Sequence, residues 1–304
     1  MFKQYIDSLL ENIPKKENPI QIDIVLEGGS NNGYYELGIL LFLKEMEKTN
    51  QIVVNRISGA SIGSYMGFHY FNNTLEKTPK LFENMREHFK KNLNIQIYKD
   101  LLHEDFKMLS DDTFNSLQNN KLYTTTIDIN QKKIILKDSY ENKEELEESI
   151  FKSCYIPYIC GETLCYKNQY MDGIIPHIFN NRDKHNQVKI LYVCINQLKK
   201  ISKMFQAKEV NMNGRILEGI VDCYKFFLEE KPSYFCSYVN NWSFSDFLII
   251  RSKQYFVFSF IFFLHITIMS SRFLYPTLKD YHFVTFLSVI LKNLYKDIIL
   301  YLCF

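Results

Sequence analysis

Two strand–glycine loop–helix units, about thirty residues apart near the start of the chain, constrain the fold most, because successive units of this kind close into a parallel sheet covered by helices. In the first, the short apolar run Ile22 to Leu26 leads into Gly28-Gly29. Tyr34 to Lys48 then carries Leu37, Leu40, Leu41 and Met46 at helical spacing, with Lys44, Glu45 and Glu47 between them. In the second, Ile52 to Ile57 passes through Ser58-Gly59-Ala60-Ser61-Ile62-Gly63 into a helix that reaches about Tyr70. Tyr123 to Ile129 and Lys133 to Lys137 read as a hairpin about Asn130-Gln131, and Glu141 to Cys154 as an acidic-faced helix. Tyr155 to Phe179 is loop-rich, with Pro157, Gly161, Gly173 and Pro176, and Val188 to Ile195 returns to a strand. The expected fold class is α/β, a three-layer sandwich with a mainly parallel central sheet and a helical, hydrophobic C-terminal region.

The two glycine loops carry the chemistry. Gly59-Ala60-Ser61-Ile62-Gly63 fits the GxSxG nucleophile elbow, in which a serine stands at the tip of a sharp strand-to-helix turn. Flanking glycines avoid clashes there, and the helix N-terminus offers amides and a positive dipole end. Glu27-Gly28-Gly29-Ser30-Asn31-Asn32-Gly33 lies where backbone amides can cradle an anion. Ser30 breaks the dinucleotide pattern GxGxxG, and Tyr34-Tyr35 after Gly33 breaks the phosphate-loop pattern of nucleotide hydrolases. An oxyanion hole remains, which needs only N–H donors aimed at a developing alkoxide.

Composition narrows the partners. The 304 residues carry a net charge of +2, with basic and acidic side chains spread along the chain, so no footprint for nucleic acid is visible. The 7 cysteines form no CxxC pair, and His69, His88, His103, His265 and His282 have no ligand spacing, so neither a metal nor a cofactor is expected. Met1 to Ile20 lacks the apolar core of a secretory signal. Free thiols on the cytoplasmic side of a membrane are the resulting expectation. Asp23, Glu36, Asp105, Asp111 and Asp112 read as solvated charges or caps.

The last sixty or so residues differ from the rest. Tyr255 to Met269 is nearly all apolar but, at about 1.5 Å per residue, shorter than the roughly 30 Å of a bilayer core. Phe283 to Phe304 sets Thr285, Ser288, Lys292 and Lys296 on one helical stripe against Phe286, Leu287, Ile290, Leu291, Leu294 and Ile298. Two readings stand: a buried helical pair, or an interfacial membrane anchor.

The order of loop and elbow resembles the patatin-like phospholipase family. Its Gly-rich block corresponds to Glu27 to Leu40, with Gly28, Gly29, Gly33, Tyr35 and Gly38 in register, and its elbow to Ile57 to Gly63. Its third block, an Asp-Gly sequence after a Ser-containing helix end and a proline, corresponds to Ser153 to Pro157 followed by Tyr170-Met171-Asp172-Gly173. Together the blocks cover most of Ile22 to Pro176. The resemblance implies a Ser61–Asp172 dyad that cleaves lipid esters through an acyl-serine, with amides of Gly28, Gly29 and Ser30 as the oxyanion hole. It implies elbow glycines at Gly59 and Gly63, and motif glycines at Gly33 and Gly173. Three positions depart from the pattern: Ser30 stands for a third glycine, Asn32 for an Arg or Lys, and Ile174 follows Asp172-Gly173.

A conventional triad through His177 or His185 is the rival at the site, since both follow Asp172 in the chain. The expected organisation is an N-terminal segment 1–20, a catalytic domain 21–200, a helical extension 201–245 and a C-terminal region 246–304 that meets a membrane. The expected function is a lipid acyl hydrolase of phospholipase A or lysophospholipase type acting on a phospholipid or other lipid ester. The alternatives are a weakly active or inactive membrane-attached interaction protein, or an acyltransferase or thioesterase on the same fold.

Overall fold

The computed structural model describes residues 2–92, 94–118, 120–157, 159–161, 163–180, 188–196 and 211–278, with short pieces between 286 and 297. In chain order the elements are α1 (Phe2–Leu10), β1 (Ile20–Leu26), α2 (Gly33–Lys48), β2 (Ile52–Ala60), α3 (Ile62–Phe71), α4 (Thr78–Asn92), α5 (Tyr98–Lys107) and α6 (Asp111–Gln118). They continue as β3 (Leu122–Asp128), β4 (Lys133–Lys137), α7 (Lys143–Ser153), β5 (Tyr170–Asp172), β6 (Lys189–Val193), α8 (Asn213–Glu229), β7 (Cys236–Tyr238) and α9 (Phe244–Leu278). The described residues up to 196, together with 211–242, form one compact unit, and those from 243 onward form another.

The sheet runs β4-β3-β2-β1-β6-β7. Its centre, β3-β2-β1-β6, is parallel, and antiparallel partners close it at both ends. Ile22, Ile24, Val25 and Leu26 of β1 are all fully buried, which is why this strand reads as a continuous apolar run: helices cover both of its faces. The chain leaves β1 for β2 on one side and later adds β6 on the other. That reversal opens a crevice at the carboxyl ends of β1, β2 and β6, where α/β sheets place their sites.

Two predicted details differ from the structure. The stretch read as loop-rich contains the three-residue strand β5, which pairs antiparallel with β3. Of the acids read as solvated, Asp23 is buried and accepts from Arg56 Nε at 2.9 Å and Nη2 at 2.8 Å across the β1–β2 pair, and Glu36 is fully buried. Strand β1 has no solvent face, so a charge on it needs a partner from the next strand. The apolar run 255–269 lies inside α9, and the amphipathic pattern of 283–304 falls largely outside the described residues. Among the described residues no helix is long and apolar enough to cross a membrane. A cavity of about 290 Å³, lined by Ile20, Met46, Phe226 and Lys189 among others, lies at the opposite end of the sheet from the crevice.

Helix α8 crosses α2 at two glycines. A Cβ on Gly38 would collide with the carbonyl of Ile216, and one on Gly219 with the carbonyl of Tyr35, so the backbones touch. Gly38→Ala is therefore expected to lower the unfolding free energy by about 2 kcal/mol in urea titrations, despite a helix-propensity gain of about 1 kcal/mol. Gly67→Ala, which meets only side-chain methyls of Leu122 and Ile57 that can shift, is expected to cost less.

Candidate active site

Register on β3 brings the two ends of the site together. The first half of one β3 edge pairs with β2, ending at Ala60 opposite Thr125. The other edge is taken by β4. Strand β5 continues the edge that β2 leaves, beginning with Asp172 opposite Thr126. Ser61, one residue beyond Ala60, therefore meets Asp172, one register step further along the same strand. The Ser61 side chain is near enough to act on the Asp172 carboxyl, favouring its ionised form.

Ser61 sits at φ 53° and ψ −128°, a conformation costing about 1–3 kcal/mol for a residue with a Cβ. Surrounding hydrogen bonds hold it there. Its amide donates to Ser153 Oγ (3.0 Å), and its carbonyl accepts from the Ser64 amide (2.9 Å), Ser64 Oγ (2.7 Å) and Cys154 Sγ (3.0 Å). Gly59 and Gly63 pack backbone to backbone inside the turn, where a Cβ on either would collide, and Gly63 lies against the Leu26 carbonyl.

The same helix end fixes the acid. The Ser153 carbonyl accepts from the Gly173 amide (3.1 Å), and the Tyr155 carbonyl from the Asp172 amide (3.0 Å). Gly173 leaves no room for a side chain beside the Thr125 carbonyl. Ile174 takes φ 48°, strained for a β-branched residue, and its amide donates to Asp172 Oδ1 at 2.8 Å. Burial pushes the Asp172 carboxyl up to about 6, and Ser61 and the Ile174 amide partly offset that rise.

The glycine loop passes over Ser61. A Cβ on Gly28 would stand 2.7 Å from Ser61 Cβ and 3.5 Å from its Oγ, and Gly33 packs against Ile62. Gly29 is extended, and the left-handed position falls on Ser30 at φ 46°. Among the described residues the amides of Gly28, Gly29 and Ser30 donate to no acceptor within the protein. The first amides of α3, at Ile62 and Gly63, are of the kind a helix leaves without an intrahelical acceptor.

Several contributors escaped the sequence. Asn196 donates from its side chain to the Gly28 carbonyl and from its amide to Glu27 Oε2 (3.2 Å), whose Oε1 accepts from Tyr192 (2.9 Å). Asn32 donates to the Ile195 carbonyl at 3.2 Å. Arg215 of α8 also reaches this loop. No spacing rule points to residues so far from the loop in the chain, whereas Ser153 was marked by its place at a helix end before a proline. Glu36, in the first turn of α2, is held well above the usual carboxylate range by burial and then by the charge of Glu27. His177 stacks on Tyr123, with ring centroids 6.1 Å apart, and lies edge-on to Phe179. Besides burial, Ser61 and the Ile174 amide shift the Asp172 carboxyl. His185 lies outside the described residues. Among the described residues no cluster of three His, Cys, Asp or Glu could hold a metal.

A family model described as patatin-like phospholipase matches residues 24–181, just over half of the chain, and spans the loop, the elbow and Asp172. The chain belongs to the patatin-like phospholipase family. Lipid acyl hydrolysis is the activity of that family. Among solved structures, the crystal structure of VipD from Legionella pneumophila matches with 14% identity and a TM-score of 0.32 over 64% of this chain and 56% of that one, so the chain spans little more than half of that protein's length. No curated protein matches it.

The raised carboxyl predicts a stability effect with a definite sign. A carboxyl whose folded-state pKa lies above its unfolded value contributes fully below the unfolded value near 3.8 and loses that contribution as pH rises through about 6. Asp172→Asn removes the ionisation cost. It is expected to gain on the order of 2–3 kcal/mol over the wild type at pH 8, shrinking towards zero near pH 4, in paired urea titrations.

Proposed function

We propose that the chain is a lipid acyl hydrolase of phospholipase A or lysophospholipase type, with Ser61 as nucleophile and Asp172 as general base. The observation that carries this reading is the meeting of Ser61 with the buried Asp172 where β2 and β5 share one edge of β3, beneath a loop whose amides donate to no acceptor among the described residues. Asp172 accepts the hydroxyl proton as Ser61 Oγ bonds to the ester carbonyl carbon. Amides of Gly28, Gly29 and Ser30 receive the negative charge on the former carbonyl oxygen, an interaction that typically contributes about 3–4 kcal/mol per donor to the barrier. Collapse breaks the acyl–oxygen bond, and the alcohol leaves with the proton held by Asp172. Water, deprotonated by the same carboxylate, then attacks the acyl-serine and releases the fatty acid.

An ordinary carboxylate near pKa 4 is a weak base, and the raised value of Asp172 brings it closer to neutral operating pH. The expected kcat/KM for fatty-acid release therefore rises through about pH 6 and is level above it. Ser61→Ala and Asp172→Asn are expected to lose at least roughly 10³-fold at every pH. An inflection near pH 4, or activity retained by Ser61→Ala, would contradict the dyad. Acyl transfer to an added alcohol at the expense of hydrolysis would favour the acyltransferase reading, and an inert wild type the interaction-protein reading.

We also propose that α9 meets the lipid surface on the cytoplasmic side. The support is its row of exposed apolar side chains, including Phe244, Leu248, Phe256 and Phe263. Phe256→Glu combined with Phe263→Glu is expected to abolish flotation with phospholipid vesicles while leaving hydrolysis of a soluble monomeric ester unchanged. Unaltered flotation would remove α9 as the contact.

A further inference from the structure

The loop over Ser61 carries an internal conflict. Ser30 is left-handed at φ 46°, a position that costs a non-glycine residue about 1–2 kcal/mol, and the loop amides must stay unpaired to be useful. A loop that cannot bond its own amides needs to be held through its carbonyls and side chains. The structure holds it from two sides, and both holders come from beyond the residues 24–181 matched by the family model. On one side, Asn196 donates to the Gly28 carbonyl and the Ile195 carbonyl accepts from Asn32. On the other stands Arg215.

Arg215 is 2% exposed. Its Nη1 donates to the Asn31 carbonyl at 3.2 Å and to Asn32 Oδ1 at 3.4 Å, and its guanidinium lies over the Tyr35 ring, 5.6 Å from the centroid. The Gly38–Gly219 crossing explains how it gets there. With α8 in backbone contact with α2, the first turn of α8 comes level with the N-terminus of α2, where the loop ends. A guanidinium at a helix N-terminus opposes the helix dipole and has given up most of its hydration, so helix packing alone does not favour it. It fits a place where an anion arises nearby during the reaction.

We propose that Arg215 is a positioning residue for the oxyanion loop: its Nη1, shared between the Asn31 carbonyl and Asn32 Oδ1, ties those two residues together, keeps the strained turn at Ser30 in the conformation that presents the Gly28–Ser30 amides, and sets a buried positive charge behind them. This rests on the hydrolase reading above. The role predicts a loss in the transition state and not in substrate binding.

The test measures kcat and KM on a soluble monomeric ester and the rate of Ser61 modification by a fluorophosphonate, for wild type, Arg215→Gln, Arg215→Lys and Asn32→Ala, with thermal melts of each. Arg215→Gln is expected to lower kcat at least about tenfold at nearly constant KM, short of the roughly 10²–10³ that loss of an oxyanion donor costs. Fluorophosphonate modification should slow by the same factor, with the pH inflection still near 6. Arg215→Lys should recover part of the rate, because it returns a charged nitrogen donor without the rigid, planar guanidinium. If Arg215→Gln does not fold, Asn32→Ala breaks the same clamp from the loop side and carries the test by the same split. Wild-type kcat and modification rate in a folded Arg215→Gln or Asn32→Ala would overturn the inference and leave the dyad intact. A wild type that neither hydrolyses nor reacts would take down the hydrolase reading and this inference with it.

Discussion

The site depends on one backbone constraint: Ser61 must occupy a conformation that a side-chain-bearing residue avoids, and something must hold it there. The holder is the end of α7. Ser153 accepts the Ser61 amide with its hydroxyl and the Gly173 amide with its carbonyl, Cys154 donates to the Ser61 carbonyl, and Tyr155 accepts the Asp172 amide. A single turn of chain thus ties Ser61 and Asp172 to one another through the backbone of each. The strain at Ser61 and Ile174 is offset by bonds that exist only when both residues are in position, so the arrangement is cooperative and pre-organised.

Sheet register does the rest. Because β2 and β5 share one edge of β3 end to end, the distance between Ser61 and Asp172 is set by strand pairing and not by a flexible loop. The same arrangement buries Asp172, and burial rather than a neighbouring charge is the first cause of its raised pKa. Fold and electrostatics are therefore linked: the covering that positions Asp172 also destabilises its ionised form.

The parts of this site that depend on local chemistry were legible in the sequence. A glycine loop and an elbow, each between an apolar strand and a helix, announce themselves through short-range patterns, whereas the left-handed conformation of Ser30 is seen only in the structure. Strand β5 was hidden because three residues carry no periodicity and become a strand only by pairing with β3. Asp23 was misread because a charged residue defaults to solvent, and only strand adjacency reveals Arg56 as its partner. Asn196 and Arg215 lie more than 150 residues from the loop they hold, as Arg215 does from Asn31 at a separation of 184, and nothing in their own surroundings marks them. Tertiary packing, above all the glycine crossing of α2 and α8, supplied what sequence pattern could not.

The central claim, that Ser61 is a nucleophile activated within this geometry, is tested most directly by intact-mass and peptide mapping after exposure of the folded chain to a fluorophosphonate. The account predicts one covalent adduct per chain, located on Ser61 and absent from Ser61→Ala. A folded wild type that gains no adduct, or gains one on a different residue, would contradict it.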